Sequence, residues 1–319
     1  MLSLGIPVYK NEQNLDRLLD ALAKLNLQLP EKLEVVFVID GSPDRCFDIL
    51  RERLAASSLD SRLVSLSRNF GSFAAVTAGL EAGGGDYFAV LAADLQEPPD
   101  LVVQFLDALQ RDEADIVFGC RTGRSDPWLS ELFSRLFWWI YRVFVVQEMP
   151  RGGVDVFGCT RDVRNRLLGF KELNTNLIAL LFWLGFRRKS IGYYRQPRKE
   201  GASAWTFSKK LHYCLNSVFN FTDLPIQILL YSGIVGIASS VLFAGILTGA
   251  KLHGDISVPG YTPIVLAIMF FGGLTSLGLG IVGQYLWLCL QNSRNRPTYI
   301  VASTQEFTAT RSGAETRSD

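Results

Sequence analysis

The sequence predicts an α/β protein with a mostly parallel sheet, helices on both of its faces, and two membrane-spanning helices appended. Three observations predict it. Short apolar runs alternate with helical patterns through residues 1 to 120, the arrangement of a parallel sheet covered on both sides. Acids stand where two of those runs end, at Asp40 and Asp94, and such sheets bind ligands beyond the carboxyl ends of their strands. Residues 224–250 and 256–293 carry no charged side chain, and each stretch exceeds the ~20 residues that cross a hydrocarbon core.

Taken in order, residues 2–7 read as a first strand, too short an apolar run and too little basic flank for a signal peptide. Residues 12–24 read as a helix with Leu15, Leu18, Leu19 and Leu22 on one face. A second strand, 33–39, closes at Asp40-Gly41-Ser42-Pro43-Asp44, whose residue types favour a turn. Residues 62–67 form a third strand and 72–82 a helix of small residues able to pack closely. Gly83-Gly84-Gly85 precedes a strand and lacks the GxxxxGK[ST] of a phosphate loop, so it reads as a turn. A strand over 87–92, a helix over 99–110 and a strand over 115–120 complete this region.

The run ending at Asp94, with Gln96 two residues on and Pro98-Pro99 stopping the strand, offers a carboxylate and an amide oxygen to a hard divalent cation. An acid there equally suits the cap of the next helix. Residues 129–146 mix Leu, Phe and Trp with Glu131, Arg135 and Arg142, the composition of an interfacial helix and also of a core helix. Residues 206–223 read as a juxtamembrane amphipathic helix. Arg187, Arg188, Lys189, Arg195, Arg198 and Lys199 concentrate positive charge that can meet lipid phosphate or simply face water. The polar tail, 303–319, reads as disordered.

A net charge of +1 excludes bulk nucleic-acid binding, and five cysteines without a CxxC pair argue against a disulfide framework or structural zinc. Lys209, Lys210, Arg294 and Arg296 flank the apolar pair and place both chain ends in the cytoplasm. The expected spans are 224–250 and 262–290. Gly236, Ser240 and Ala244 in the first span, and Gly272, Ser276 and Gly280 in the second, recur every four residues. That spacing lets helices approach closely and suggests a homo-oligomer.

Several pieces together resemble the family-2 glycosyltransferases of GT-A (Rossmann-like) fold, and within them the polyprenyl-phosphate sugar synthases. They are Ile6-Pro7-Val8-Tyr9 with Asn11 and Glu12; Asp40-Gly41-Ser42; Ser67-Arg68-Asn69-Phe70-Gly71; Ala93-Asp94-Leu95-Gln96-Glu97-Pro98-Pro99; Gly119-Cys120-Arg121; and Arg198-Lys199-Glu200-Gly201-Ala202-Ser203. Gly283-Gln284-Tyr285 and Arg296-Pro297-Thr298-Tyr299 match the end of two-span bacterial members.

The resemblance implies a cytoplasmic catalytic domain over 1–205 and roles residue by residue. Pro7, Tyr9, Asn11, Asp40 and Arg68 would bind the nucleotide. Asp94 and Gln96 would hold Mg²⁺ or Mn²⁺. Arg121, Arg124, Arg198 and Ser203 would meet the acceptor phosphate, and Asp155 matches an acid near the reacting centre. Asp94, Asp155, Arg121 and Arg198 would be the catalytic set. Ala92 departs from the family pattern where many relatives carry a first Asp, as do Ile39 and Asn11. The implied reaction is inverting transfer of a hexose, glucose from UDP-glucose, to undecaprenyl phosphate at the inner-membrane face. Mannose, galactose or aminoarabinose as the sugar, or a non-catalytic nucleotide-binding scaffold, are the alternatives.

Overall fold

The computed structural model describes residues 1–123, 141–143, 146–150, 153–170, 176–196, 218–219, 222, 224–252 and 261–308. They fall into two compact units, Met1–Lys210 with Pro297–Asp319, and Leu211–Arg296. The first unit is built on strands β1 (Leu2–Val8), β2 (Leu33–Ile39), β3 (Asp60–Leu66), β4 (Tyr87–Val90), β5 (Ile116–Gly123), β6 (Val154–Thr160), β7 (Arg188–Tyr194) and β8 (Val301–Phe307). Its helices are α1 (Leu15–Gln28, after a 3-10 turn at Glu12–Asn14), α2 (Cys46–Ala55), α3 (Ser72–Ala82), α4 (Asp100–Gln110), α5 (Arg161–Gly169) and α6 (Leu177–Trp183).

One sheet holds all eight strands in the order β7-β5-β6-β4-β1-β2-β3-β8. The β1–β2, β1–β4, β2–β3 and β5–β7 pairs are parallel. The β4–β6, β5–β6 and β3–β8 pairs are antiparallel. The sheet is mixed: β1–β5 and β7 run one way, while β6, inserted between β4 and β5, and the edge strand β8 run against them. Helices do cover both faces. Val35, Phe37 and Ile39 of β2 join Leu15, Leu18, Leu22 and Leu25 of α1 in one core, while Val36 and Val38 meet Ala75 and Ala78 of α3 on the other side. Alternation along one strand feeds two cores. The small residues of α3 do allow close packing, with Gly79 seated against Gly5 of β1.

The glycine turn before β4 is structural. Gly84 N–H donates to Glu34 at 2.8 Å and Gly85 N–H to Ser3 Oγ at 2.8 Å. Arg161 and Arg164 of α5 donate to the carbonyls of Gly83, Gly84 and Gly85. All of this lies at the amino edge of the sheet.

One correction concerns the carboxyl terminus. Residues 303–307, expected to be disordered, belong to β8, which pairs with β3 from Leu66↔Val301 to Ser61↔Phe307. Polar side chains suit this strand because it is an edge, with one side of its backbone ladder open to water. Residues 309–319 lie outside the described residues.

The second unit contains α7 (Leu224–Leu252) and α8 (Tyr261–Ser293). Phe271 packs on Gly236 and Leu229 on Gly278, so glycines mark where these helices approach. Among the described residues, one helix, Phe270–Ser293 within α8, is long and apolar enough to cross a membrane. The expected interfacial helix 129–146 and juxtamembrane helix 206–223 lie outside the described residues, apart from 141–143, 146, 218–219 and 222.

Candidate active site

Because β4, β5 and β7 run the same way as β1–β3, their carboxyl ends share one edge of the sheet. The start of β6 joins them there. That edge gathers charge in two places.

At the β1–β3 end, Asp40 is buried just past β2. Its Oδ1 accepts from Phe70 N–H at 2.7 Å and its Oδ2 from Gly71 N–H at 2.9 Å, capping the start of α3. Burial raises the Asp40 pKa, and those two N–H groups oppose the rise. Gly41 follows at φ +55°, and a Cβ there would sit 2.3 Å from backbone atoms of Arg68 and Asn69. Glycine is thus required both by conformation and by space. Arg68 lies over the Phe70 ring at 4.0 Å. Pro7 is paired with Val38 inside the sheet, and Asn11 Nδ2 donates to the Tyr9 carbonyl at 3.1 Å. A cleft of about 320 Å³ opens beside Lys10, Asn11, Pro43 and Asp44.

At the β4–β7 end the acids meet side chains. The turn after β4 places Leu95 at φ +52°, a strained conformation for a bulky residue and a common mark of functional turns. Asp94 Oδ1 accepts from Gln96 N–H at 3.2 Å, and Arg17 donates to the Asp94 carbonyl at 3.2 Å. The Gln96 amide oxygen accepts from Arg195 Nη2 at 2.6 Å. Gln96 and Gln196 are further tied through Gln196 N–H to Gln96 O at 2.9 Å. Asp155, at the start of β6, takes a two-pronged pair from Arg121 Nε and Nη2 at the end of β5. Its Oδ2 also accepts from the Tyr193 hydroxyl of β7 at 2.6 Å.

Glu97 sits between these groups, 1% exposed. Its Oε1 is 3.5 Å from the Tyr193 hydroxyl and 3.8 Å from Arg195 Nε, and its Oε2 has no hydrogen-bond partner among the described residues. Burial, then the charges of Asp155 and Asp94, push its pKa up to about 7, against the pull of Arg195 and Arg121. Burial, then the charges of Asp155 and Glu97, push the Tyr193 hydroxyl up as well.

The expected residues Asp94, Gln96, Arg121 and Asp155 therefore come together, and Asp40, Arg68, Tyr9, Asn11 and Pro7 line the other end of the same edge. Asp40 and Gln96 have their side-chain oxygens engaged within the protein. Arg124, Arg198 and Ser203 lie outside the described residues. Sequence reasoning gave no role to Glu97 or Tyr193 and left Arg195 in a surface charge run. Glu97 stood inside a quoted motif, and only its fellow acids had drawn attention.

Among the described residues no group of three His, Cys, Asp or Glu side chains is arranged to hold a metal ion. The oxygen chemistry nevertheless suits a hard cation: carboxylates of Asp94 and Glu97, the latter with a buried oxygen that has no hydrogen-bond partner among the described residues.

A sheet with charge collected beyond the carboxyl ends of its parallel strands defines a ligand-binding α/β protein. Residues 3–164 match the family described as Glycosyl transferase family 2, and the chain belongs to that family. It is a glycosyltransferase with an α/β, GT-A-like mixed sheet. It is similar to a protein of Synechocystis sp. described as an uncharacterized glycosyltransferase, 30% identical over 94% of both chains. It is also similar to the bactoprenol glucosyl transferase of Shigella phage SfV, 26% identical over 96% of this chain and 99% of that one. A prophage bactoprenol glucosyl transferase homolog of Escherichia coli (strain K12) is 26% identical over 94% of this chain and 98% of the other.

Proposed function

We propose that this glycosyltransferase moves a hexose, glucose from UDP-glucose, onto a polyprenyl phosphate at the cytoplasmic face of the inner membrane. The observation that carries the reading is the charged edge described above, in a chain that also carries α7 and α8. The printed name of the Shigella phage relative, aligned over 99% of its length, supplies both glucose and a lipid acceptor.

The order of the strands supports a reading with two membrane crossings. β8 comes after α7 and α8 in the chain, yet it pairs with β3, which precedes them. A chain that crosses and rejoins the same sheet crosses an even number of times. At about 1.5 Å per residue, the 29 residues of α7 and the 33 of α8 are each long enough to span. Lys209, Lys210, Arg294 and Arg296 favour both ends in the cytoplasm. The reading includes a homo-oligomer formed through Gly272, Ser276 and Gly280. A monomeric mass by light scattering in mild detergent would overturn that part.

The chemistry is an in-line displacement that inverts the anomeric centre. An acceptor phosphate oxygen bonds to the anomeric carbon as the bond to the nucleoside diphosphate breaks. A phosphate monoester has a second pKa near ~6, so the nucleophile arrives anionic and needs little help from a base. Positioning and charge stabilisation carry the catalysis.

In this reading Pro7, Tyr9, Asn11, Asp40 and Arg68 bound the nucleotide side. Arg121, Arg124, Arg198 and Ser203 hold the acceptor phosphate in guanidinium forks and hydroxyl contact. Asp94 and Gln96 are the positions for Mg²⁺ or Mn²⁺, which when bound neutralises charge on the leaving diphosphate. Asp155 holds Arg121. The test uses purified full-length protein in lipid vesicles with labelled nucleotide sugars and polyprenyl phosphate. Lipid-linked glucose formed from UDP-glucose is the expected product. Another sugar would correct the donor alone, and no transfer from any nucleotide sugar would overturn the reading.

A further inference from the structure

We infer that Tyr193 is a positioning residue of this site: its hydroxyl fixes the Asp155 carboxylate that aims Arg121 at the acceptor phosphate. The inference rests on the acceptor site proposed above and assigns a role to a side chain outside the motifs of the chain.

The geometry is set by three neighbouring strands. Tyr193 on β7 is the register partner of Arg121 on β5, so in this parallel pair both side chains leave the same face. On the other side of β5, the β6 residue next to Asp155, Val154, is the partner of Cys120. The Tyr193 ring therefore reaches past Arg121 to an acid one strand further on. Tyr193 is 5% exposed, and its 2.6 Å bond ends on Asp155 Oδ2, the oxygen that also receives Arg121 Nε. With Arg121 Nη2 on Oδ1, three donors hold the two oxygens of one carboxylate.

A hydroxyl has a single proton to donate. Here it faces two acids, Asp155 at 2.6 Å and Glu97 at 3.5 Å, and the short bond selects Asp155. The backbone of Tyr193 is fixed too, since Thr122 Oγ1 donates to its carbonyl at 3.0 Å. Asp155 with its oxygens so engaged is an anchor for the Arg121 fork rather than a free base. Removal of the hydroxyl leaves the carboxylate plane held by Arg121 alone. The guanidinium and carboxylate can then turn together, and the fork loses its fixed direction.

The experiment is a cycle of Tyr193→Phe and Arg121→Lys in the full-length protein. Two readouts are taken: affinity of the detergent-solubilised protein for a polyprenyl phosphate, and steady-state transfer. Tyr193→Phe, which keeps the ring, should weaken lipid-phosphate binding about tenfold and raise the acceptor KM, with the nucleotide-sugar KM within about twofold. In the Arg121→Lys background the same change should add less than about twofold, because groups acting through one another do not add. A residue that merely packs would give independent losses in both backgrounds. Wild-type binding by Tyr193→Phe, or a full tenfold loss on top of Arg121→Lys, overturns the inference. Should Tyr193→Phe fail to fold, Asp155→Asn replaces it in the same cycle, and additive losses again overturn the idea. Lipid-phosphate binding in detergent reports on Tyr193 even where wild-type protein transfers no sugar, so failure of the proposed function and failure of this inference are read separately.

Discussion

At the β1–β3 end of the sheet's carboxyl edge, Asp40 gives both carboxylate oxygens to backbone N–H groups of Phe70 and Gly71. At the β4–β7 end, Asp155 gives both of its oxygens to side chains, Arg121 and Tyr193. Beside it Glu97 keeps a buried oxygen with no hydrogen-bond partner among the described residues. The first arrangement fixes the chain, since backbone donors move only if the fold moves. The second fixes charge that a ligand can reorganise. Substitutions in the Asp40–Gly41 turn should therefore act first on stability, and those at the second end on turnover.

The largest expected effect belongs to Asp94. With Ala92 supplying no acid, Asp94 is the carboxylate of its turn best placed for a cation. Asp94→Asn should lower transfer by at least roughly a hundredfold, since several kcal/mol of charge stabilisation are at stake. The protein should remain folded and membrane-bound. Asp100→Asn, in the exposed first turn of α4, is the control and should change little. Substantial Mg²⁺-dependent turnover by the Asp94 variant would break the division between the two ends.

Arg121→Ala comes next. Loss of a charge-assisted contact costs on the order of 1.5–3 kcal/mol, or roughly ten- to a hundredfold in efficiency. Titration of each substrate should show the loss on the lipid phosphate rather than on the nucleotide sugar. A change confined to the donor titration would move the acceptor site away from β5.

The contrast predicts the opposite behaviour at Gly41. A Cβ there meets Arg68 and Asn69 backbone at 2.3 Å and sits at φ +55°, so Gly41→Ala combines overpacking with a left-handed alanine. Together these cost on the order of 3 kcal/mol. A fall in melting temperature measured in detergent should precede any specific change in KM. Unchanged stability with a selective rise in donor KM would place a ligand contact where the structure shows a close approach of two loops.

The same contrast explains what could be read from the sequence. Asp40 and Asp94 were legible because a strand that ends in an acid is a local pattern, visible within a dozen residues. So were a sheet covered on both faces and the close-packing α3. The Glu97–Tyr193–Asp155 group was not, because its members come from the turn after β4, from β7 and from β6, and no periodicity links residues 96 and 38 positions apart. The insertion of β6 between β4 and β5 left no mark either, since both neighbours read alike as apolar strands. Residues 303–307 read as part of a tail because Ser303, Thr304, Gln305 and Glu306 are polar, which an edge strand tolerates and a local pattern cannot distinguish from disorder.

The smallest effect lies away from both ends, at the amino edge of β5. Asp115 accepts from the Arg187 backbone N–H at 3.1 Å and from its side chain at 3.0 and 2.9 Å. Hydrogen bonding to Arg187 lowers the Asp115 pKa below the ordinary 3.8. A carboxyl whose pKa is depressed by folding stabilises the native state at pH values above its unfolded pKa, and that contribution is lost as pH falls through the lower folded value. The pair faces solvent, so its worth is that of a surface ion pair and falls with salt. Asp115→Asn should therefore melt slightly below wild type at pH 7. The gap should close as pH falls below about 3.8 and narrow at pH 7 in high salt. Transfer at neutral pH should be unaffected, since the residue stands at the edge opposite the charged network. A large loss of turnover in this variant would mean that charge at the amino edge reaches the site, and that the carboxyl edge alone does not define it.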